Sequence, residues 1–148
     1  MALTAILRKA RELLAVGWNA ECCLALSQDG YPVYSWPRLA GVPSVSGRPI
    51  PECMSFDVDG AVDHACWLLD ESAKGLPEEQ RHNTTGWALA RYVEAIEFLD
   101  GIAPRDGCPV WWPGDVRVWE MQQGRTQSEV LRLFDRALMR AARVEMAT

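Results

Sequence analysis

The chain has 148 residues, of which 49% are apolar and 24% charged, with a formal net charge of −5. That length buries roughly two-thirds of the unfolded surface in a single domain without staples, and that composition excludes wholesale disorder. No apolar run approaches the roughly 20 residues that cross a bilayer, and the amphipathic, basic N-terminus has no signal-peptide stretch. We therefore expect a cytoplasmic protein with no membrane partner. The five cysteines, Cys22, Cys23, Cys53, Cys66 and Cys108, are odd in number, include an adjacent pair and form no Cys-x-x-Cys motif. This fits a reducing compartment better than a disulfide framework.

In chain order, Leu3, Ile6, Leu7, Ala10, Leu13 and Leu14 predict a first amphipathic helix over 3–16, with Arg8, Lys9, Arg11 and Glu12 on its wet side and Gly17 as its stop. Residues 22–26 and 31–34 flank Asp29-Gly30 and predict a hairpin, with Pro32 placing its second strand at an edge. Residues 36–52 carry four prolines and two glycines and read as a long loop. The helical period returns from Asp57 to Ala73, acidic on its outside, and ends at Lys74-Gly75-Leu76-Pro77. Pro77 to Gln80 fits an extra turn.

A third helix spans 86–99, capped by Thr84 or Thr85, with Leu89, Tyr92, Val93, Ile96 and Leu99 inward. A loop over 101–115 follows, and Val116-Arg117-Val118-Trp119 then alternates like a short strand able to pair with the hairpin. The best-marked element is the last one. Thr126 and Glu129 have capping-box spacing, and Val130, Leu131, Phe134, Leu138, Ala141 and Ala142 share one face, with Arg132, Arg136, Arg140 and Arg143 on another. The expected fold class is α+β: one helix-dominated domain over 1–148, about four helices with a small antiparallel sheet of two or three strands.

The stretches Ile6 to Trp18, Gly124 to Leu131 and Phe134 to Leu138, and more loosely Cys66-Trp67-Leu68-Leu69, resemble a family of small uncharacterised proteins from actinobacteria and phages. The resemblance implies a shared fold and no known activity.

Motifs that carry chemistry are scarce. There is no Gly-x-Ser-x-Gly elbow and no glycine-rich phosphate loop, and the two histidines are His64 and His82. Cys53, His64, Cys66 and Cys108 are ligand types that zinc prefers, but their spacing matches no finger or knuckle, so we expect buried cysteines and no metal or other cofactor. Asp57 to Asp63 fails the calcium-loop pattern, since Val62 and Leu68 stand where it needs Gly and Glu. Capping explains those acids, and Asp63 beside His64 reads as a solvated face.

Two features suggest recognition. Trp111 and Trp112, adjacent on a kinked loop between Pro109 and Pro113, do not easily point the same way, so that one could seal the core while the other stays partly exposed as an anchor, and Trp119 ties that loop to the last helix. Charge is also segregated: residues 1–18 and 125–148 hold eight Arg and Lys against four acids, whereas 19–124 hold seven against sixteen. If the terminal helices pack side by side, Arg8, Lys9, Arg11 and the four arginines of the last helix make a basic strip for anions or an acidic partner. The leading expectation is a non-enzymatic module, phage- or mobile-element-associated by resemblance, binding a partner protein or itself through Trp111, Trp112 and Trp119. A nucleic-acid accessory protein using Arg132, Arg136, Arg140 and Arg143 comes second, disfavoured by the acidic whole. A small hydrolase or metal-dependent enzyme comes third and requires a pocket where Cys53, His64, Cys66 or Cys108 converge.

Overall fold

The computed structural model describes residues 2–20, 25–27, 32–34, 53–70, 86–104 and 116–147. Five helices lie among them: α1 (Ala2–Val16), α2 (Val58–Leu69), α3 (Gly86–Asp100), α4 (Val116–Glu120) and α5 (Gln127–Ala147). Three short extended segments, β1 (Ala25–Ser27), β2 (Pro32–Tyr34) and β3 (Cys53–Phe56), pair antiparallel in the order β2-β1-β3. At three or four residues each they contribute little packing area, and the fold is helix-dominated. The Asp29-Gly30 turn, the 36–52 loop, Lys74-Gly75-Leu76-Pro77, the turn at Pro77 to Gln80, Thr84, Thr85, Cys108, Trp111 and Trp112 lie outside the described residues.

Helix α1 buries Ile6, Leu7, Ala10 and Leu14, the positions its period marks, and Gly17 closes it with an N–H to the Leu13 carbonyl. The chain then runs beside β3: the Phe56 N–H donates to the Gly17 carbonyl and the Asn19 N–H to the Phe56 carbonyl, both at 3.0 Å. This seats the end of α1 on the entrance to α2. Asp57 caps α2, its carboxylate accepting from the Gly60 N–H at 2.6 Å.

Helix α2 packs against α1, α3, α4 and β3, and every residue from Val58 to Cys66 is buried. The expectation of an acidic outer face is therefore corrected, because Asp59, Asp63 and His64 are all covered. The helix is hydrophobic or hydrogen-bonded all round, as a central helix must be. It ends at Asp70, whose N–H reaches the Trp67 carbonyl, short of the expected end at Ala73.

Helix α3 buries Ala88, Tyr92, Ala95, Ile96 and Leu99, while Leu89 and Val93 are 41% and 43% exposed. The alanines take the seam because their small side chains allow close approach, which rotates the inward face away from Leu89 and Val93. Residues 116–119 are corrected from strand to helix. Their alternation over four residues is compatible with either period, but Val116, Trp119 and Glu120 are the buried positions, and spacings of three and four select the helix. The Asp100 carboxylate accepts the Val116 N–H at 2.7 Å and fixes the start of α4.

In α5 the capping box forms as spaced: the Glu129 N–H donates to Thr126 Oγ1 at 3.3 Å and the Thr126 N–H to Glu129 Oε1 at 3.1 Å. Gly124, at φ 85°, makes the turn that leads into it, a conformation L side chains rarely adopt. The core face is Val130, Leu133, Phe134, Ala137 and Ala141; Leu131 and Leu138 are only half-buried and Ala142 is exposed, so the seam lies a fraction of a turn from the expected one.

Candidate functional site

The terminal helices do pack side by side, running antiparallel. Thr4 donates to Glu145, Arg11 pairs with Asp135 at 2.6 Å, and Gln127 donates to the Leu14 carbonyl at 2.7 Å. Successive helical residues turn by about 100°, so Gln127, Asp135 and Glu145 fall on one side of the core seam of α5. Arg132, Arg136, Arg140 and Arg143 fall on the other. The single basic strip expected from both termini is thereby corrected: Arg11 is spent on Asp135 and Lys9 on Glu12, on the far flank of α5 from the four arginines.

Those four arginines are exposed and border a trench between α5 and the turn that ends α3. Its larger section, about 530 Å³, is lined by Pro104, Trp119, Arg125, Glu129, Arg132, Asp135, Arg136 and Met139. An adjoining section of about 330 Å³ shares Arg136 and Met139 and adds Gly101, Ile102, Arg140 and Arg143. Among the described residues, Arg140 alone of the four donates a hydrogen bond to the opposite wall, at 3.5 Å from the Gly101 carbonyl. Arg132, Arg136 and Arg143 make no ion pair among the described residues. Met139, common to both sections, is 60% exposed. The trench thus combines three guanidinium forks without ion pairs among the described residues with Pro104, Trp119 and Met139, and with the carboxylates of Glu129 and Asp135, and its volume is that of a ligand cleft.

The wall at Trp119 is braced by Arg125. Trp119, expected among the partner-binding residues, is 3% exposed and belongs to the core, and it lines the trench from there. The Arg125 guanidinium lies 4.0 Å from the ring centroid, while its Nε donates to the Trp119 carbonyl and its NH groups reach Glu129 and Gln122. Desolvated stacking of this kind strengthens the cation–π attraction. Arg125 is therefore a brace between α4 and α5, and the Thr126 and Arg125 contacts hold the Glu129 carboxyl below its ordinary range.

Next to Trp119 on the buried side of α4 is a carboxyl centre. Glu120, 2% exposed, accepts from the Trp18 indole N–H at 2.8 Å and from the Val58 N–H at 2.7 Å, both on Oε2. One carboxyl so ties α4 to the end of α1 and the start of α2. Burial, then the neighbouring charge of Asp57, push its pKa up to about 8. Asp59, next along, accepts from the Tyr92 hydroxyl and faces Arg117 at 4.0 Å. Burial raises its pKa to about 6, and burial together with the Asp59 charge raises that of the Tyr92 hydroxyl. His64 stacks between Phe56 and Trp67, with centroids at 5.3 and 5.9 Å. Cys66 is buried and in no disulfide among the described residues, where no three His, Cys, Asp or Glu side chains are grouped to hold a metal ion.

Sequence reasoning found the arginine row and missed both walls around it. Met139 and Pro104 carry no chemical signal, and Glu120 was concealed because 116–119 read as a strand. The three- and four-residue spacing of Val116, Trp119 and Glu120 was the signal that could have found it. Among the described residues, no helix is long and apolar enough to cross a membrane.

The chain belongs to a family described as a family of unknown function, DUF6197, whose model matches residues 1–140. No curated protein and no solved structure matches it.

Proposed function

We propose that the chain is an interaction module that takes an acidic segment of a partner protein into the trench along α5. The observation that carries this reading is the row of exposed guanidiniums, three of them without ion pairs among the described residues, set against Trp119, Met139 and Pro104. Carboxylates of the partner would meet Arg132, Arg136, Arg140 and Arg143, and an apolar side chain between them would rest on Met139, whose flexible thioether adapts to varied shapes. Nucleic acid is the weaker occupant: the whole chain carries −5, and general affinity for phosphates depends on neutralising many of them. Trp111 and Trp112 remain further contacts in this reading on the strength of their sequence setting alone. The same reading takes the protein as cytoplasmic and associated with phages or mobile elements, a setting supported by the resemblance of the terminal helices.

The test is fluorescence polarisation at low salt with a short Glu-rich peptide carrying a central Leu, its Gln-substituted counterpart, and single- and double-stranded oligonucleotides. The acidic peptide should bind, the neutral one should not, and Arg132→Ala with Arg136→Ala should weaken binding by tenfold or more. Equal binding of both peptides, or no effect of the double substitution, would overturn the proposal. Tighter binding of either oligonucleotide would replace it with a nucleic-acid accessory role.

A further inference from the structure

The two sections of the trench differ in charge. In the larger one, Arg125, Arg132 and Arg136 stand beside the carboxylates of Glu129 and Asp135, which pair with Arg125 at 2.8 Å and with Arg11 at 2.6 Å. The smaller one, about 330 Å³, gathers Arg136, Arg140 and Arg143 with Gly101, Ile102 and Met139, and its lining has no carboxylate. Spacings of four and three residues put these arginines one above another on a single face of α5. The facing turn adds no N–H of its own, since those of Gly101, Ile102 and Ala103 all donate to the Glu97 and Leu99 carbonyls. An anion in this section is held by guanidinium forks.

We propose that the smaller section is a phosphoryl site, and that the partner segment taken into the trench carries a phosphorylated side chain there. This rests on the reading of the trench as the seat of an acidic partner, and it names the group that the most basic end takes. Three guanidiniums around one pocket match concentrated negative charge. Separate carboxylates crowded into it would repel one another and bring in a side chain each. A phosphate monoester presents about −1.5 to −2 of charge and three acceptor oxygens in one group, which guanidinium forks bind bidentately. Arg136 and Arg143 have no ion pair to give up among the described residues, and Arg140 would exchange a 3.5 Å contact with a neutral carbonyl for a charge-assisted bond. Arg136 and Met139 line both sections, so one segment can occupy the two together. The α5 positions of the two linings are centred about seven residues apart, or about 10 Å. An extended chain covers that distance in about three residues. The phosphorylated residue therefore stands about three positions from the apolar side chain that enters the larger section.

Fluorescence polarisation at low salt tests the site with peptides built on one Glu-rich sequence with a central Leu. Two carry phosphoserine, three residues before or three residues after the Leu, and two carry Glu in those places. One phosphopeptide should bind at least about fivefold tighter than its Glu counterpart. Arg140→Ala with Arg143→Ala should remove that advantage, whereas Arg132→Ala should weaken both members of the pair alike and preserve it. All three arginines are exposed, so these variants keep the fold, as circular dichroism would verify. An advantage below about fivefold in both orders, or one that survives Arg140→Ala with Arg143→Ala, would overturn the phosphoryl site. Inorganic phosphate that displaces the Glu peptide as effectively as the better phosphopeptide does would also overturn it, in favour of a site for free anions. If the Glu peptides bind and phosphoserine adds nothing, the trench reading stands and the phosphoryl site falls. If only a phosphopeptide binds, the carboxylate reading of the trench falls and the phosphoryl site stands.

Discussion

On the flank of α5 that meets α1, Gln127, Asp135 and Glu145 each reach a group on the neighbouring helix; on the opposite flank, Arg132, Arg136 and Arg143 reach none among the described residues. Both flanks are polar and both belong to one amphipathic helix. The difference shows how charge on a helix divides between architecture and recognition. Where a second helix lies alongside at packing distance, oppositely charged residues are consumed in register. Where the neighbour is a turn carrying Gly101, Ile102 and Pro104, that turn offers the arginines no carboxylate, and a trench remains whose acids, Glu129 and Asp135, are engaged with Arg125 and Arg11.

The largest effect should come from the seam that separates the two flanks. Phe134 is fully buried among the core residues. Phe134→Ala should cost about 3–5 kcal/mol through lost burial and the cavity left behind, measured by chemical denaturation. It should disturb α1 docking and the trench together, since both depend on where α5 sits. A loss below about 1 kcal/mol would mean that the flanks are held independently of the seam.

That seam was partly legible in the chain. The capping box of Thr126 and Glu129, the stop at Gly17 and the buried set of α1 follow from local chemistry and reappear in the structure. What was not legible depends on partners distant in sequence. Asp59 is buried because Tyr92 and Arg117 reach it, and Glu120 because Trp18 and Val58 do; none of these pairings leaves a local periodic signature. The same holds for Leu133 and Ala137, which take core places expected for Leu138 and Ala142: a fraction of a turn of helix decides, and only the neighbouring helices can decide it. The arginine row was legible as a row, but which flank it occupied relative to α1 was a question of packing.

A second effect is set by pH. The pKa values of Glu120 and Asp59 in the fold, about 8 and about 6, both lie above their ordinary values. The folded state therefore keeps these protons over a range where the unfolded chain has lost them. The stability they confer is complete below the ordinary carboxyl range and is lost as pH rises towards about 8. Each proton so retained contributes a slope of about 1.4 kcal/mol per pH unit. Denaturation midpoints should accordingly fall from the ordinary carboxyl range up to about pH 8, most steeply below about 6 where both protons are retained, and level off above, and Glu120→Gln should flatten the interval from about 6 to about 8. A midpoint that rises with pH in the wild type would contradict the assignment.

The smallest effect tests the comparison most directly. The Arg11–Asp135 pair is half-exposed, at 35% and 52% of side-chain surface, so solvent screens it and its worth should be about 0.2–1 kcal/mol. A double-mutant cycle with Arg11→Ala and Asp135→Ala isolates that coupling, and the same cycle with Arg136→Ala and Asp135→Ala serves as its counterpart across the helix. Arg136 sits one residue from Asp135 and on the other flank, so its coupling should be near zero, and Arg136→Ala alone should change stability by less than about 0.5 kcal/mol. Added salt should shrink the first coupling and leave the second unchanged. If Arg136 instead coupled to Asp135 as strongly as Arg11 does, the carboxylate would be shared across the helix and the trench arginine would be structural. Raised stability in Arg136→Ala would sharpen the contrast, since it would show that the arginine row is retained at a cost to the fold.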